Sequence, residues 1–198
     1  MFKQAATISI AIILIVAITW VTVLAGKKGY FPPGALDPNS PRSDSFRNHW
    51  YSEQLEAMGE PVLKADGSSN IYRFTWLRSF HHPVAVRIVD GGGHCTLRAV
   101  ELDGAGGYAP GNVFRSKDLK LPAEKCIEVE QLMRITGFWR LAPHEQTNGK
   151  DGAEWIVEGA ATEYKAVARW SPKSGPIREI GEEFLDFAGW KYPANEVY

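Results

Sequence analysis

Only two cysteines, Cys95 and Cys126, occur in the 198 residues. They permit a single intramolecular pairing. An oxidising compartment would join them as a disulfide; a reducing one would leave two buried thiols, the common state of free cysteine. No cysteine follows Gly26, so lipoprotein processing is not indicated. No G-x-S-x-G occurs, which removes the nucleophile elbow of serine hydrolases. Internal repeats and long low-complexity runs are absent as well. No acid precedes Asp37: three of the 22 basic residues lie before residue 29 and all 23 acids after it. Residues 29–198 therefore hold 19 bases against 23 acids, a net charge of -4. A nucleic-acid partner would need a basic face, and no basic stripe with interleaved aromatics is present.

What is present begins with an uncharged run over residues 5–26, rich in Ile and Val, with Trp20 near its far end. Its length matches the ~20 residues that cross a bilayer core. A cleaved signal has a shorter apolar region, about 7–15 residues, although Val23-Leu24-Ala25 resembles a cleavage site. The expectation is an uncleaved N-terminal transmembrane helix, with residues 1–28 as anchor and basic flank. Orientation is nearly balanced on the positive-inside rule, Lys3 and the terminal amine on one side against Lys27 and Lys28 on the other. The short N-terminal tail favours a single-pass inner-membrane protein with its domain in the periplasm. Residues 29–44, rich in Pro and Gly, read as a stiff linker, and residues 45–198 as one α+β domain.

Within that domain a helix is expected from about Ser45 to Gly59, with Ser43, Asp44 and Ser45 as caps and Phe46, Trp50, Ala57 and Met58 on its apolar face. Alternation then marks strands at 71–80, 84–89 and 94–103. "DGGG", residues 90–93, between the last two reads as a hairpin turn, because glycine takes positive φ without steric cost. The glycine-rich loop at 104–112 leads into a short strand and not a helix, so it fails as a phosphate cradle. A second helix follows Pro122 and ends at Gly137, with Cys126 on its core stripe. Two strands at 153–159 and 163–171 and a helix from Pro176 complete the chain. The sum is an α+β fold with a largely antiparallel sheet of about six strands and three helices, the helices covering one face.

"DGAEWIVEG", "YKAVARWSP" and "IGEEFLDFAG", with "RFTWLRSFHHPVAVRI" and "LDGAGGYAPG", resemble a family of uncharacterised bacterial membrane-anchored or secreted proteins. The resemblance spans about residues 70–189. It implies a bacterial origin and an envelope-facing domain, and it carries no activity. The family often has Asp before Arg-Trp-Ser-Pro; here that position is Ala168.

Three constellations carry chemistry. A metal centre would draw on His81, His82, His94, Cys95 and Asp90. The strand at 84–89 separates the two ends by roughly 20 Å, so one compact site from these residues is not expected. An acid/base site would need two or more of Glu154, Glu158, His82, His144 and Asp151 in one pocket. Arg73, Arg78, Arg87, Arg98, Glu158 and Arg169 sit in strands, where they either form a solvated face or line a shallow pocket. Trp76, Trp139, Trp155 and Trp170 are core or sugar-stacking residues. The ligand-binding candidates are therefore Arg78, Arg87, Glu158, Arg169 and Trp170, facing a small anionic or sugar ligand or an envelope protein. The bilayer is the partner of residues 5–26, and no cofactor is indicated. The function expected is a non-enzymatic envelope binding module. The alternatives are a hydrolase with an unrecognised site and a cytosol-facing accessory subunit of a membrane complex.

Overall fold

The computed structural model describes residues 29–145 and 149–198. The expected anchor over residues 5–26 lies outside the described residues, among which no helix is long and apolar enough to cross a membrane. The described chain runs α1 (Pro41–Ala57), β1 (Asn70–Arg78), β2 (Val84–Asp90), β3 (Cys95–Leu102), β4 (Val113–Leu121), α2 (Ala123–Ile135), a 3-10 turn (Phe138–Arg140), β5 (Ala153–Ala160), β6 (Tyr164–Trp170) and α3 (Pro176–Ala188). The six strands form one antiparallel sheet in the order β4-β3-β2-β1-β5-β6. Consecutive hairpins build β1 to β4. From the β4 edge, α2 carries the chain back over the sheet so that β5 pairs with β1.

The alternation in the strands sets two cores. Tyr72, Phe74, Trp76, Val86, Ile88, Leu97, Trp155 and Val157 face α2 and α3, which supply Val129, Met133, Ile177, Ile180 and Phe184. Gly181 lets α3 approach closely: a Cβ there would lie 2.5 Å from the Trp155 ring and 2.7 Å from Phe74. The opposite side chains, Leu77, Ala85, Val100, Leu102, Ile156, Ala166 and Ala168, form a second core. Helices therefore cover both faces, not one. The second face is too apolar to stand in water, and Tyr51, Leu55 and Met58 of the α1 region bury it.

Helix α1 starts four residues earlier than its sequence implied. Ser40 is the cap, its hydroxyl accepting the Ser43 N–H at 3.3 Å, and Pro41 occupies the first turn. Asp44 is released for another task. Its buried carboxylate accepts the N–H groups of Gly34 (2.9 Å), Leu36 (2.9 Å) and Asp37 (3.1 Å). Residues 29–40, expected as a spacer, are thereby tied to the domain, with Phe31 and Leu36 buried in the second core. The face of α1 is the expected one only in part: Met58 is buried and Trp50 and Ala57 pack against the second core, but Phe46 is 65% exposed, and Tyr51 and Leu55 are fully buried.

The glycine-rich loop packs backbone against backbone. A Cβ on Gly106 would sit 2.6 Å from the Leu77 and Arg78 main chain. The loop is latched to α1, Trp50 Nε1 donating to the Gly106 carbonyl (2.7 Å) and Gln54 Nε2 to that of Tyr108 (3.0 Å). The "DGGG" stretch is the β2–β3 hairpin tip. Gly92 and Gly93 take φ of 78° and 115°, and the Asp90 carboxylate accepts the Gly92 N–H at 2.9 Å.

Candidate ligand-binding cleft

Cys95 opens β3 and Cys126 lies in the first turn of α2; the two are joined as a disulfide with Cα atoms 5.7 Å apart. Their sequence separation of 31 spans β3, β4 and the start of α2. The bond pins the hairpin tip to the helix, and a cleft of about 640 Å³ opens beside it. Asp90 and Gly93 of the hairpin form one wall; Ile127, Glu130, Met133 and Arg134 of α2 form another. The third wall exists because of Gly137. Its left-handed conformation (φ 65°) ends the helix and reverses the chain into the 3-10 turn, which brings Trp139 and Arg140 back alongside α2.

The polar groups of the cleft fall into two kinds. Glu130 is already satisfied, its carboxylate accepting from Asn70 Nδ2 (2.9 Å) and from the Tyr72 hydroxyl (3.1 Å). Burial, and then the adjacent Glu130 charge, push the Tyr72 hydroxyl well above the usual phenol range. Tyr72 in turn meets Trp139 edge-on, ring centroids 6.3 Å apart. Arg134 and Arg140 are different. Both are exposed at the cleft, and neither guanidinium makes a hydrogen bond or ion pair among the described residues. Ile127, 57% exposed, adds apolar surface to the mouth. The arrangement can desolvate an apolar body and present two guanidinium groups to an anionic one.

The five strand residues singled out from the sequence do not converge on one pocket. Arg87, Glu158 and Trp170 lie on the α1 face, and Arg78 and Arg169 on the other, as the strand register dictates. Glu158 is held by a bidentate Arg73 (2.7 and 2.8 Å) and by the Tyr164 hydroxyl (2.9 Å). Arg87 donates to Glu60 at 2.8 Å, which also takes Arg73 at 3.4 Å. Glu60 is the hub that sequence reasoning missed; it sits in a loop with no periodicity to flag it. Arg78 is sandwiched between the Trp76 and Tyr192 rings, 4.1 and 4.8 Å from their centroids, and donates to the His82 carbonyl (2.9 Å) and to Glu196 (3.1 Å). Arg169 is tied to the Ala142 carbonyl (3.0 Å) and Glu145 (2.9 Å). Trp170 packs against the main chain of Gly149 and Gly152.

The acid/base candidates converge only in part. Glu154 accepts from Arg47 Nη1 at 2.7 Å, and His144 Nε2 lies 3.4 Å from Arg47 Nη2, so the guanidinium stands between them. Burial pushes the Glu154 carboxyl above the ordinary range against the opposing pull of Arg47. Burial and then the Arg47 charge hold His144 below its ordinary value. Neither residue lines the cleft at the disulfide. His82 contacts Glu101 at 3.5 Å, and Asp151 is exposed. Of the metal candidates, Cys95 is taken by the disulfide, while His81 contacts the Tyr198 hydroxyl at 2.8 Å. No family model, no curated protein and no solved structure matches this chain.

Proposed function

We propose that the protein is a membrane-anchored envelope binding module whose cleft between the β2–β3 hairpin, α2 and the 3-10 turn takes an anionic ligand with an apolar body. The observation that carries this reading is the pairing of apolar walls (Ile127, Met133, Trp139) with two uncommitted guanidinium groups, Arg134 and Arg140. Arginines placed for structure in this chain, such as Arg73, Arg78 and Arg169, all have partners. The disulfide favours an oxidising compartment, in keeping with a periplasmic domain behind an anchor at residues 5–26. A hydrolase reading has less support, because Glu154 and His144 are both turned on Arg47.

The test is calorimetry on the full chain in lipid nanodiscs, empty nanodiscs subtracted. The probes are naphthalene-2-carboxylate and its neutral carboxamide. A charge-assisted hydrogen bond contributes about 1.5–3 kcal/mol, so the carboxylate should bind roughly tenfold or more tightly. The preference should vanish in an Arg134→Ala/Arg140→Ala variant. Equal binding of the two probes, or a preference that survives the double substitution, would refute the assignment.

A further inference from the structure

We propose that reduction of the Cys95–Cys126 disulfide turns the hairpin end of the cleft into a site for a thiophilic divalent cation, zinc, held by both thiolates and Asp90. The inference is independent of what fills the rest of the cleft. Its basis is that the ligand-capable atoms of Asp90, Cys95 and Cys126 all lie within 4.8 Å of one another. Tetrahedral zinc, with Zn–S about 2.3 Å and Zn–O about 2.0–2.2 Å, needs ligand atoms separated by about 3.5–3.8 Å. On reduction the two sulfurs part to that spacing, and the Asp90 oxygen already lies within 4.8 Å of both.

The backbone keeps the trio together once the S–S bond is gone. Asp90 and Cys95 are directly paired across the β2–β3 ladder. Cys126 is carried by a 13-residue helix whose Val129 and Met133 are locked in the core. A disulfide closing a loop of this length stabilises by about 3–4 kcal/mol in the chain-entropy account, less than the 5–15 kcal/mol typical of a domain. The reduced chain is therefore expected to stay folded. One oxygen of Asp90 is oriented by the Gly92 N–H at 2.9 Å, which leaves the other free to bind a cation. Cys126, one turn inside the N-terminus of α2, sits where the helix field favours the thiolate. Asp90 and Cys126 both line the cleft, so a fourth coordination position would open onto it.

The chemistry balances. A dithiol donor gives two electrons and two protons to the S–S bond, which breaks to two thiols while the donor's own sulfurs pair. Zinc then displaces both thiol protons to solvent and takes the Asp90 carboxylate as third ligand. The disulfide form offers no thiolate and holds no metal.

The experiment uses the full chain, reduced with a water-soluble phosphine, freed of reductant under anaerobic conditions and titrated with cobalt(II). Zinc follows in competition with a chromophoric chelator. One equivalent of cobalt should bind with a thiolate-to-metal charge-transfer band, and the unreduced chain should show none. Asp90→Asn keeps the turn acceptor and the disulfide but should weaken binding by roughly tenfold or more, since even outer-sphere partners of a metal contribute 10–100-fold. Absence of the band in the reduced chain would overturn the site, as would wild-type affinity in Asp90→Asn. Loss of the fold on reduction, read by circular dichroism, would overturn it too.

Discussion

Arg73 and Glu158 are both fully buried, and their worth depends on their being removed together or singly. Glu158→Ala would leave a guanidinium in the core with Glu60, the Pro61 carbonyl and the Tyr30 ring but without its bidentate carboxylate. The expected cost is about 3–5 kcal/mol, whereas an Arg73→Met/Glu158→Leu pair should lie near neutral. Urea denaturation of both variants checks this; equal losses would contradict it. Glu154 gives a pH signature. Its carboxyl is raised in the folded state by burial, so the folded chain holds that proton more tightly than the unfolded one. Stability from this group is present at low pH and falls as pH rises from the ordinary carboxylate value through the raised one. Glu154→Gln should remove that fall, and stability curves at several pH values would reveal a slope that persists in the variant. The charged strand residues were legible in the sequence as alternating positions, but their partners were not. Glu60 reaches Arg73 and Arg87 across 13 and 27 residues, a pairing that local pattern does not encode.

At the scale of elements, α1 separates propensity from packing. Its Phe46 and Trp50 look like a docking face in the sequence, yet only Trp50 packs against the second core, while Phe46 is 65% exposed and Leu55 fully buried. Leu55→Ala should cost about 2–5 kcal/mol, and Phe46→Ala within about 0.5 kcal/mol of nothing. Thermal unfolding of the two variants distinguishes the faces, and a large loss from Phe46→Ala would mean that this helix docks the other way round. The strands were better marked. Alternation placed Trp155 and Val157 opposite Ile156 and Glu158, and the two cores sort them in that way. Tandem glycines marked the β2–β3 turn because positive φ is a local requirement. Helix α1 starts ahead of the expected caps Ser43, Asp44 and Ser45 because Ser40, just upstream, is a capping residue as well. The loop that Asp44 must satisfy decided among them.

For the molecule as a whole, the sheet and its two helical layers form the body that an anchor at residues 5–26 would hold at a membrane. A reporter fused to the C-terminus should be active in the periplasm. Cys95 and Cys126 of the unreduced chain should resist alkylation. Reporter activity confined to the cytoplasm, with both thiols titratable, would sink the envelope reading and leave the accessory-subunit alternative. Residues 29–40 pack against the second face of that body, with Gly29 against Asn48 of α1.

The sequence by itself determined the class of fold, through period-two alternation in the strands and glycine or proline at the breaks. These are short-range constraints, satisfied within a few residues of where they are written. Only the tertiary structure decided which face each helix covers and which acid meets which arginine. It also decided that Cys95 reaches Cys126, because strand pairing and the α2 crossover bring together residues 31 apart. The hairpin tip at Asp90–Cys95 shows both levels. Its turn is local chemistry. The cleft wall it forms exists only because a helix from beyond β4 folds back against it.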